Sequence, residues 1–528
     1  MRETYPMQTL HSQALPNNDG QKESDAHHVH QTLPSVPLFC LAPVPFWLLA
    51  AALDIESLAH LAAGLGLALG LGWIRALLRN PTLMLGFLKL GGVMLLIIMS
   101  LGWLMALFFN LSSLGQNLST ALVVDIGTTL PAYASAVAYA LVFAAVLGAL
   151  GGLAHIRALE ASAVRRFFAA RGIRPRKLLI LIGVICLLEI WLIFSGVISY
   201  RTFAIAGFDE GSIAWHLPML QIMFAAQAGL NAIAISQIVE NTAKRNKLAI
   251  ALVFTSFLLI LFITFTQGRS GFVFCALLHF YWATFFIGKM PNFRAMIPIL
   301  AITLPLLYTG SLLSNFMRSD AVQGADLKID GFGTFLGNAI DTWQSDQTLQ
   351  AAEKARSAAN LASRPLVANP LAKSMALPDE QKTFLLGENL FNSAIWSIPN
   401  FFISNKRAYP VQEELLYQNF PIGINDTADS IYLYAYADFA YMGLLVYPTL
   451  IAGIWVFVLL LMRLPHISSL GVVVFSCMWI SMFTLSMGES STITWFVLLR
   501  NGIIALPFIA IAAKLFSFPR YADGKQTK

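Results

Sequence analysis

The feature that most constrains this chain is a series of apolar runs of about twenty residues, each nearly free of charge. A helix rises about 1.5 Å per residue, so roughly twenty apolar residues cross the hydrocarbon core of a bilayer. The sequence therefore predicts an all-α polytopic membrane protein with about twelve transmembrane helices. The predicted spans are 37–53, 57–74, 83–108, 131–153, 178–198, 217–239, 248–266, 270–287, 295–313, 431–461, 467–487 and 491–513.

Composition favours lipid as the solvent for much of the chain. Hydrophobic residues make up 57% of it and charged residues only 12%, whereas soluble domains carry about 25% charged residues. The net charge of +6 does not indicate nucleic-acid binding, because the basic residues form short clusters between apolar runs, as in membrane topology signals. The 4 cysteines all lie in apolar runs, so neither a disulfide framework nor a cysteine metal site is expected.

The basic clusters also predict an orientation. With twelve spans they all fall on one face, which we expect to be cytoplasmic together with both termini. Residues 1–36 are expected to be a disordered cytoplasmic tail, with a weak metal site at His27, His28 and His30 as the alternative. Residues 514–528 form the second cytoplasmic tail.

One long segment separates the two groups of spans. Residues 37–313 hold the first nine and residues 431–513 the last three, and the mixed-charge segment 314–430 lies between them on the opposite, periplasmic face. Long loops are not bound by the positive-inside rule. We expect a surface helix over 339–360, and a loop of this length is usually functional.

Cations cluster at the periplasmic face. Arg269 lies in a tight turn between two apolar runs, Arg318 follows the ninth span, and Lys406 and Arg407 fall late in the long loop. An arginine at this depth either snorkels to the interface or meets an anion. A guanidinium binds phosphate oxygens through two hydrogen bonds, so Arg269 and Arg318 together form a candidate clamp for a diphosphate.

Two acids accompany these cations. Asp429 precedes the tenth span and is either a helix N-cap or a base for a hydroxyl group. Asp438 lies a few residues inside that span, where an acid usually faces a cavity or a partner, so we consider it an orienting group. Ser430 and Tyr434 lie between them as candidate substrate contacts, with Tyr434 placed to pack on a sugar ring. No metal-ligand cluster is evident, and neither a metal nor a cofactor is expected.

Over about residues 248–460 the sequence resembles the Wzy-type polymerases of bacterial surface polysaccharides, many-helix enzymes with one long periplasmic loop late in the chain. Ala440 stands where the first glycine of the family's Phe-Gly-x-x-Gly pattern is expected. The matching pieces are Gly268-Arg269-Ser270, Arg318, Ile398-Pro399 followed by Lys406-Arg407, and Asp429-Ser430 followed by Tyr434, Asp438-Phe439 and Tyr441-Met442-Gly443.

The resemblance implies a membrane glycosyltransferase of the GT-C type in the bacterial inner membrane. Its substrates would be oligosaccharide repeat units on undecaprenyl diphosphate, joined at the outer leaflet into an O-antigen, capsule or exopolysaccharide. Arg269, Arg318 and Arg407 would bind the departing diphosphate, with Lys406 as a substitute. Asp429 would be the base and Asp438 an orienting group. A flippase and a chain-length regulator of the same pathway are the expected protein partners.

Three other functions fit the same layout: a ligase, a transporter and a non-catalytic export component. The related O-antigen ligases share it but are usually recognised by a late-loop histidine, and residues 314–430 contain no histidine. In a non-catalytic export component, each cation at this face would be a snorkelling anchor. A transporter would also be expected to show broken helices paired between repeats, and the sequence shows no internal repeat.

Overall fold

The chain folds into a helical bundle, described here from a computed structural model. It describes residues 36–79, 87–113, 128–170, 173–195, 216–240, 247–267, 279, 367–398, 402–403, 405–422, 430–464, 467–488 and 492–515. All regular structure in these ranges is helical, as expected in lipid, where helices satisfy their own backbone hydrogen bonds. Nine helices lie in the first part: α1 Val36–Leu41, α2 Val44–Leu53, α3 Glu56–Arg79, α4 Phe87–Ser113, α5 Leu130–Leu150, α6 Ala154–Ala169, α7 Pro175–Phe194, α8 His216–Glu240 and α9 Lys247–Gln267.

Seven more helices are described after residue 366. They are α10 Asn369–Ala376, α11 Glu388–Ser397, α12 Gln412–Asn419, α13 Ile431–Phe439, α14 Gly443–Arg463, α15 Ser469–Gly488 and α16 Ile493–Leu515. Short 3-10 turns lie at Asp379–Gln381, Lys406–Ala408 and Ala440–Met442. The predicted spans 270–287 and 295–313, apart from His279, and the predicted helix 339–360 lie outside the described residues.

The helices identify a membrane protein. Within the described ranges, six are long and apolar enough to cross a bilayer: Glu56–Ala76, Leu130–Leu150, Pro175–Phe194, Ile222–Val239, Ile431–Arg463 and Ile493–Ile511. Shorter apolar helical stretches are Phe39–Leu53, Leu88–Leu104, Lys247–Leu261 and Ser469–Ile480. Helices thus occupy ten of the twelve predicted positions, while the number of crossings stays a prediction.

Helix α5 is the centre of the bundle. Thr129 caps its first turn by accepting a hydrogen bond from Ala132 N at 3.4 Å, and Pro131 occupies an early position where its missing N–H is not needed. Helices α1, α2, α4, α10 and α14 all pack on α5, and α15 packs on α4, α8 and α16. The late loop is therefore in direct contact with the transmembrane core through α10.

The structure corrects three sequence-based boundaries. The first predicted span is broken at Ala42–Pro43, and the tenth is broken at Ala440–Met442. Residues 154–169, expected as part of a basic cytoplasmic loop, form helix α6. The sequence did not predict this helix because its many charged residues obscure its amphipathic pattern. On its apolar face, Ile156, Ala163, Val164 and Phe167 are buried, and the helix packs on α14 and α15.

Candidate functional site

The break between α13 and α14 is the starting point of the site. Ala440 has φ of +49°, a left-handed conformation that glycine adopts readily and alanine does not. Gly443 is required three residues later, because a Cβ atom there would lie 2.0 Å from Ala435 O. Tyr139 of α5 donates a hydrogen bond to Ala440 O at 3.1 Å and thereby fastens the break to the central helix.

The break leaves carbonyl groups of α13 without their usual helical donors, and the late loop supplies them. Leu385 N donates to Ala437 O at 3.0 Å, and Leu386 N donates to Asp438 O at 2.9 Å. The loop turns here through Leu386, at φ of +51°, and Gly387, at φ of +93°. Helix α11 begins directly after this turn.

Asp438 joins the break to helix α11. Its carboxylate is fully buried, and it accepts hydrogen bonds from Asn389 N at 3.3 Å and from Tyr447 Oη at 2.5 Å. Asn389 Nδ2 donates to Tyr447 Oη and to Thr492 Oγ1, each at 3.0 Å. We call Asp438, Asn389, Tyr447 and Thr492 the Asp438 clasp. A carboxylate at the first turn of α11 also interacts favourably with the helix dipole.

Helix α11 enters the bundle alongside α16. Asn389 contacts Thr492 at one end, and at the other Arg500 Nη1 donates to Ser397 O at 3.2 Å. Both helices advance eight residues between these contacts, so they run parallel over about 12 Å. The late loop therefore carries a helix that runs along α16 from the start of that helix.

Two cations meet the carboxyl end of helix α11. Lys406 is buried, and its Nζ donates to Trp396 O at 3.0 Å and also to Ile398 O. Arg500 donates to Ser397 O between them. The last carbonyl groups of a helix lack internal partners, and bare carbonyls at membrane depth are costly. Lys406 and Arg500, which we call the cation pair, satisfy these groups.

The cation pair carries more charge than capping requires. In the part of the chain that the structure describes, no carboxylate lies within 4 Å of Lys406 or Arg500. Burial, and then the charge of Arg500, lower the pKa of Lys406 to about 8. Two cations that lie close together with no acid beside them form a site that favours the binding of an anion.

The predicted site residues fall into two groups. Asp438, Lys406, Ser430 and Tyr434 are described, and all four are buried. Ser430 occupies the N-cap position of α13, and Tyr434 lies fully buried in that helix, where neither ring face is open to a sugar. Arg407 shares the turn of Lys406, but its side chain lies outside the described residues, as do Arg269, Arg318 and Asp429.

Sequence reasoning missed Arg500 and Asn389. Arg500 had a usable signal, because it is a lone arginine inside the apolar run 493–511, where a charge indicates a partner. Asn389 had none, since a loop asparagine is ordinary and its partners lie 49, 58 and 103 residues away along the chain.

Comparisons with protein-family models, with curated proteins and with solved structures return no match.

Proposed function

We propose that this chain is a polysaccharide polymerase of the bacterial inner membrane. It would join oligosaccharide repeat units carried on undecaprenyl diphosphate at the outer leaflet. The observation that carries the proposal is the cation pair at the carboxyl end of helix α11. It supplies two positive charges, with no carboxylate of the described residues within 4 Å of either, to which the diphosphate of a lipid carrier could bind.

The reaction depends more on stabilising the departing diphosphate anion than on a covalent intermediate with the protein. A hydroxyl oxygen of one repeat unit attacks the anomeric carbon of the other glycan, and the bond from that carbon to the lipid diphosphate breaks. The hydroxyl proton passes to a base, for which Asp429 is the candidate. The diphosphate departs with additional negative charge. Each cation that neutralises this charge is worth about 3–4 kcal/mol of barrier when it is preorganised.

The residues divide between binding and positioning. Arg500 joins Arg269, Arg318 and Arg407 as a candidate ligand of the diphosphate, with Lys406 beside it. Asp438 is a positioning residue in this scheme, because its carboxylate is fully used within the Asp438 clasp. The clasp fixes the first turn of α11, and α11 presents its carbonyl end to the cation pair.

The location of the helix break favours an enzyme over a transporter. Transporters with broken helices bind their solutes near the middle of the membrane. Here α14 alone spans 21 residues, or about 31 Å, which is enough to cross the hydrocarbon core. The break at Ala440 therefore lies at one end of the crossing helix, where a lipid headgroup and its glycan would be accessible.

The test is carried out in a strain whose surface polysaccharide depends on this chain. We expect Arg269→Ala and Arg500→Leu to reduce the product to single repeat units, with a loss of about 10²-fold or more in polymer formation. Arg500→Lys should recover only part of the activity, since an ammonium cannot reproduce the guanidinium fork. Polymer length is read on gels, and protein abundance by immunoblot.

Arg463→Ala is the matched control, because Arg463 is an exposed arginine at the other end of α14. It should leave polymer length unchanged. Full-length polymer from both Arg269→Ala and Arg500→Leu, at normal protein abundance, would contradict the proposed site. A strain that lacks the chain and still makes full-length polymer, but leaves it on the lipid carrier, would indicate a ligase instead.

A further inference from the structure

A second polar site lies among α7, α8 and α9, away from the late loop. Helix α8 packs on both α7 and α9, and α9 packs on α7. Each helix contributes fully buried polar side chains, and His279 from the following segment joins them. We call this group the Glu189 chain: Glu189, Gln227, Asn231, Ser256 and His279.

Hydrogen bonds connect the group without interruption. Gln227 Nε2 donates to Glu189 Oε2 at 3.0 Å and to Ser256 Oγ at 2.9 Å. Ser256 Oγ donates to Asn231 Oδ1 at 3.0 Å. Asn231 Nδ2 lies 3.2 Å from His279 Nε2, so the imidazole nitrogen accepts from the amide. An acid thus stands at one end of the chain and a base at the other.

Two acceptor atoms at the acid end are incomplete. Among the residues that the structure describes, neither Glu189 Oε1 nor Gln227 Oε1 receives a hydrogen bond. A buried polar atom without a hydrogen bond destabilises a protein, and a bare carboxylate within a membrane does so more strongly. The cluster therefore has a surplus of acceptors and lacks one donor.

A single proton supplies what is missing. A carboxylic acid and a primary amide can pair face to face: the amide N–H donates to one acid oxygen, and the acid O–H donates to the amide oxygen. The first of these two bonds is already present, from Gln227 to Glu189. A proton on Glu189 Oε1 would form the second, satisfy both incomplete atoms and remove the buried charge.

We propose that Glu189 and Gln227 form a proton-binding site inside the membrane bundle. The proton is taken from water and held between Glu189 Oε1 and Gln227 Oε1, and the hydrogen-bonded side chains lead from this pair to His279. Besides Glu189, the described titratable side chains at this packing interface are Cys186 on α7 and His279; Lys247, the charged residue on α9, lies exposed at its far end.

Infrared spectroscopy of the purified full-length protein tests the site directly. We expect the carbonyl stretch of a protonated carboxylic acid at neutral pH, shifted in heavy water and absent from Glu189→Gln. Gln227→Leu should shift this band, because it removes the hydrogen-bond partner. Gln237→Ala should leave it unchanged, since Gln237 lies on the same helix but donates to Ile173 O instead. Identical spectra from the wild type and Glu189→Gln would overturn the proposal.

Thermal unfolding separates a proton from a metal cation. A glutamine at position 189 can also pair with Gln227, so Glu189→Gln should keep the melting temperature of the wild type while Glu189→Ala lowers it. The wild type should melt at the same temperature in sodium, potassium and choline chloride. Selective stabilisation by sodium, or a drop for Glu189→Gln as large as that for Glu189→Ala, would mean that an ionised carboxylate is required and would refute the proton site.

Discussion

The carboxyl ends of helices α14 and α11 are capped with different amounts of charge. At the end of α14, Arg166 of α6 donates to Met462 O and, at 2.6 Å, to Ile467 O, which closes the turn into α15. At the end of α11, Lys406 and Arg500 donate to the last carbonyl groups of that helix. One cation is enough for two carbonyl groups at the first end, whereas two cations share three at the second.

The presence of a second cation at the end of α11 carries an electrostatic cost. Lys406 and Arg500 repel each other, and this repulsion contributes to the lowered pKa of Lys406. A single side chain caps the α14–α15 turn. This difference supports the proposed anion site at the end of α11.

The largest expected effect concerns the membrane sides of the late loop, which carries α11, and of helix α6, which carries Arg166. In a cysteine-free background, Glu380→Cys should react with an impermeant thiol reagent added to intact spheroplasts. Arg165→Cys should react only after the membrane is opened. Both positions are exposed. Labelling of both from the same side would contradict the predicted placement of the loop and α6 on opposite faces.

The next effect is release of the loop end alone. Asp438→Ala removes two buried hydrogen bonds and leaves the Asn389 N–H and the Tyr447 hydroxyl without an acceptor, a cost of about 2–4 kcal/mol. Trypsin cleavage between Lys373 and Lys406 should accelerate by at least roughly tenfold, because local opening governs the rate.

Two variants sharpen this result. Glu380→Ala, at an exposed position, should leave the cleavage rate unchanged. Arg166→Ala should reduce protein abundance without exposing the loop sites. Equal acceleration by Arg166→Ala would show that the two ends do not act as separate units.

A smaller effect of opposite sign is expected at the break itself. Ala440→Gly should stabilise the protein by about 1 kcal/mol, because it relieves the left-handed strain at φ of +49°. Gly443→Ala should destabilise it, since the added Cβ meets Ala435 O. Thermal unfolding of both variants checks the signs. A lower melting temperature for Ala440→Gly would show that the break is not strained there.

The smallest effect is a pH dependence of anion binding. The folded protein loses the Lys406 proton near pH 8, whereas an unfolded lysine keeps it to about 10.4. Between these values the unliganded protein therefore gains stability as pH rises, and its affinity for a short-chain polyprenyl diphosphate should fall a few-fold. Calorimetric titration measures the affinity. Lys406→Arg should remove the dependence, and an unchanged slope in that variant would exclude Lys406 as its source.

The sequence by itself determined the helical class and the location of most helices. Apolar runs predict helices in lipid because the backbone has no other way to satisfy its polar groups there. The same reasoning predicted that Asp438 faces a cavity or a partner, since a charge within a span is too costly to stand alone. Arg500 carried the same signal and was open to the same inference.

Contacts between segments far apart in the chain determine how these residues are used. The partners of Asp438 come from α11 and α14, and those of Arg500 from the late loop, so no local pattern could name them. The break at Ala440 depends on loop N–H groups that replace helical donors, and α6 hides a buried arginine inside a basic cluster. Hydrogen bonds between distant segments fix these choices, whereas periodicity along the chain reports only what each helix does alone.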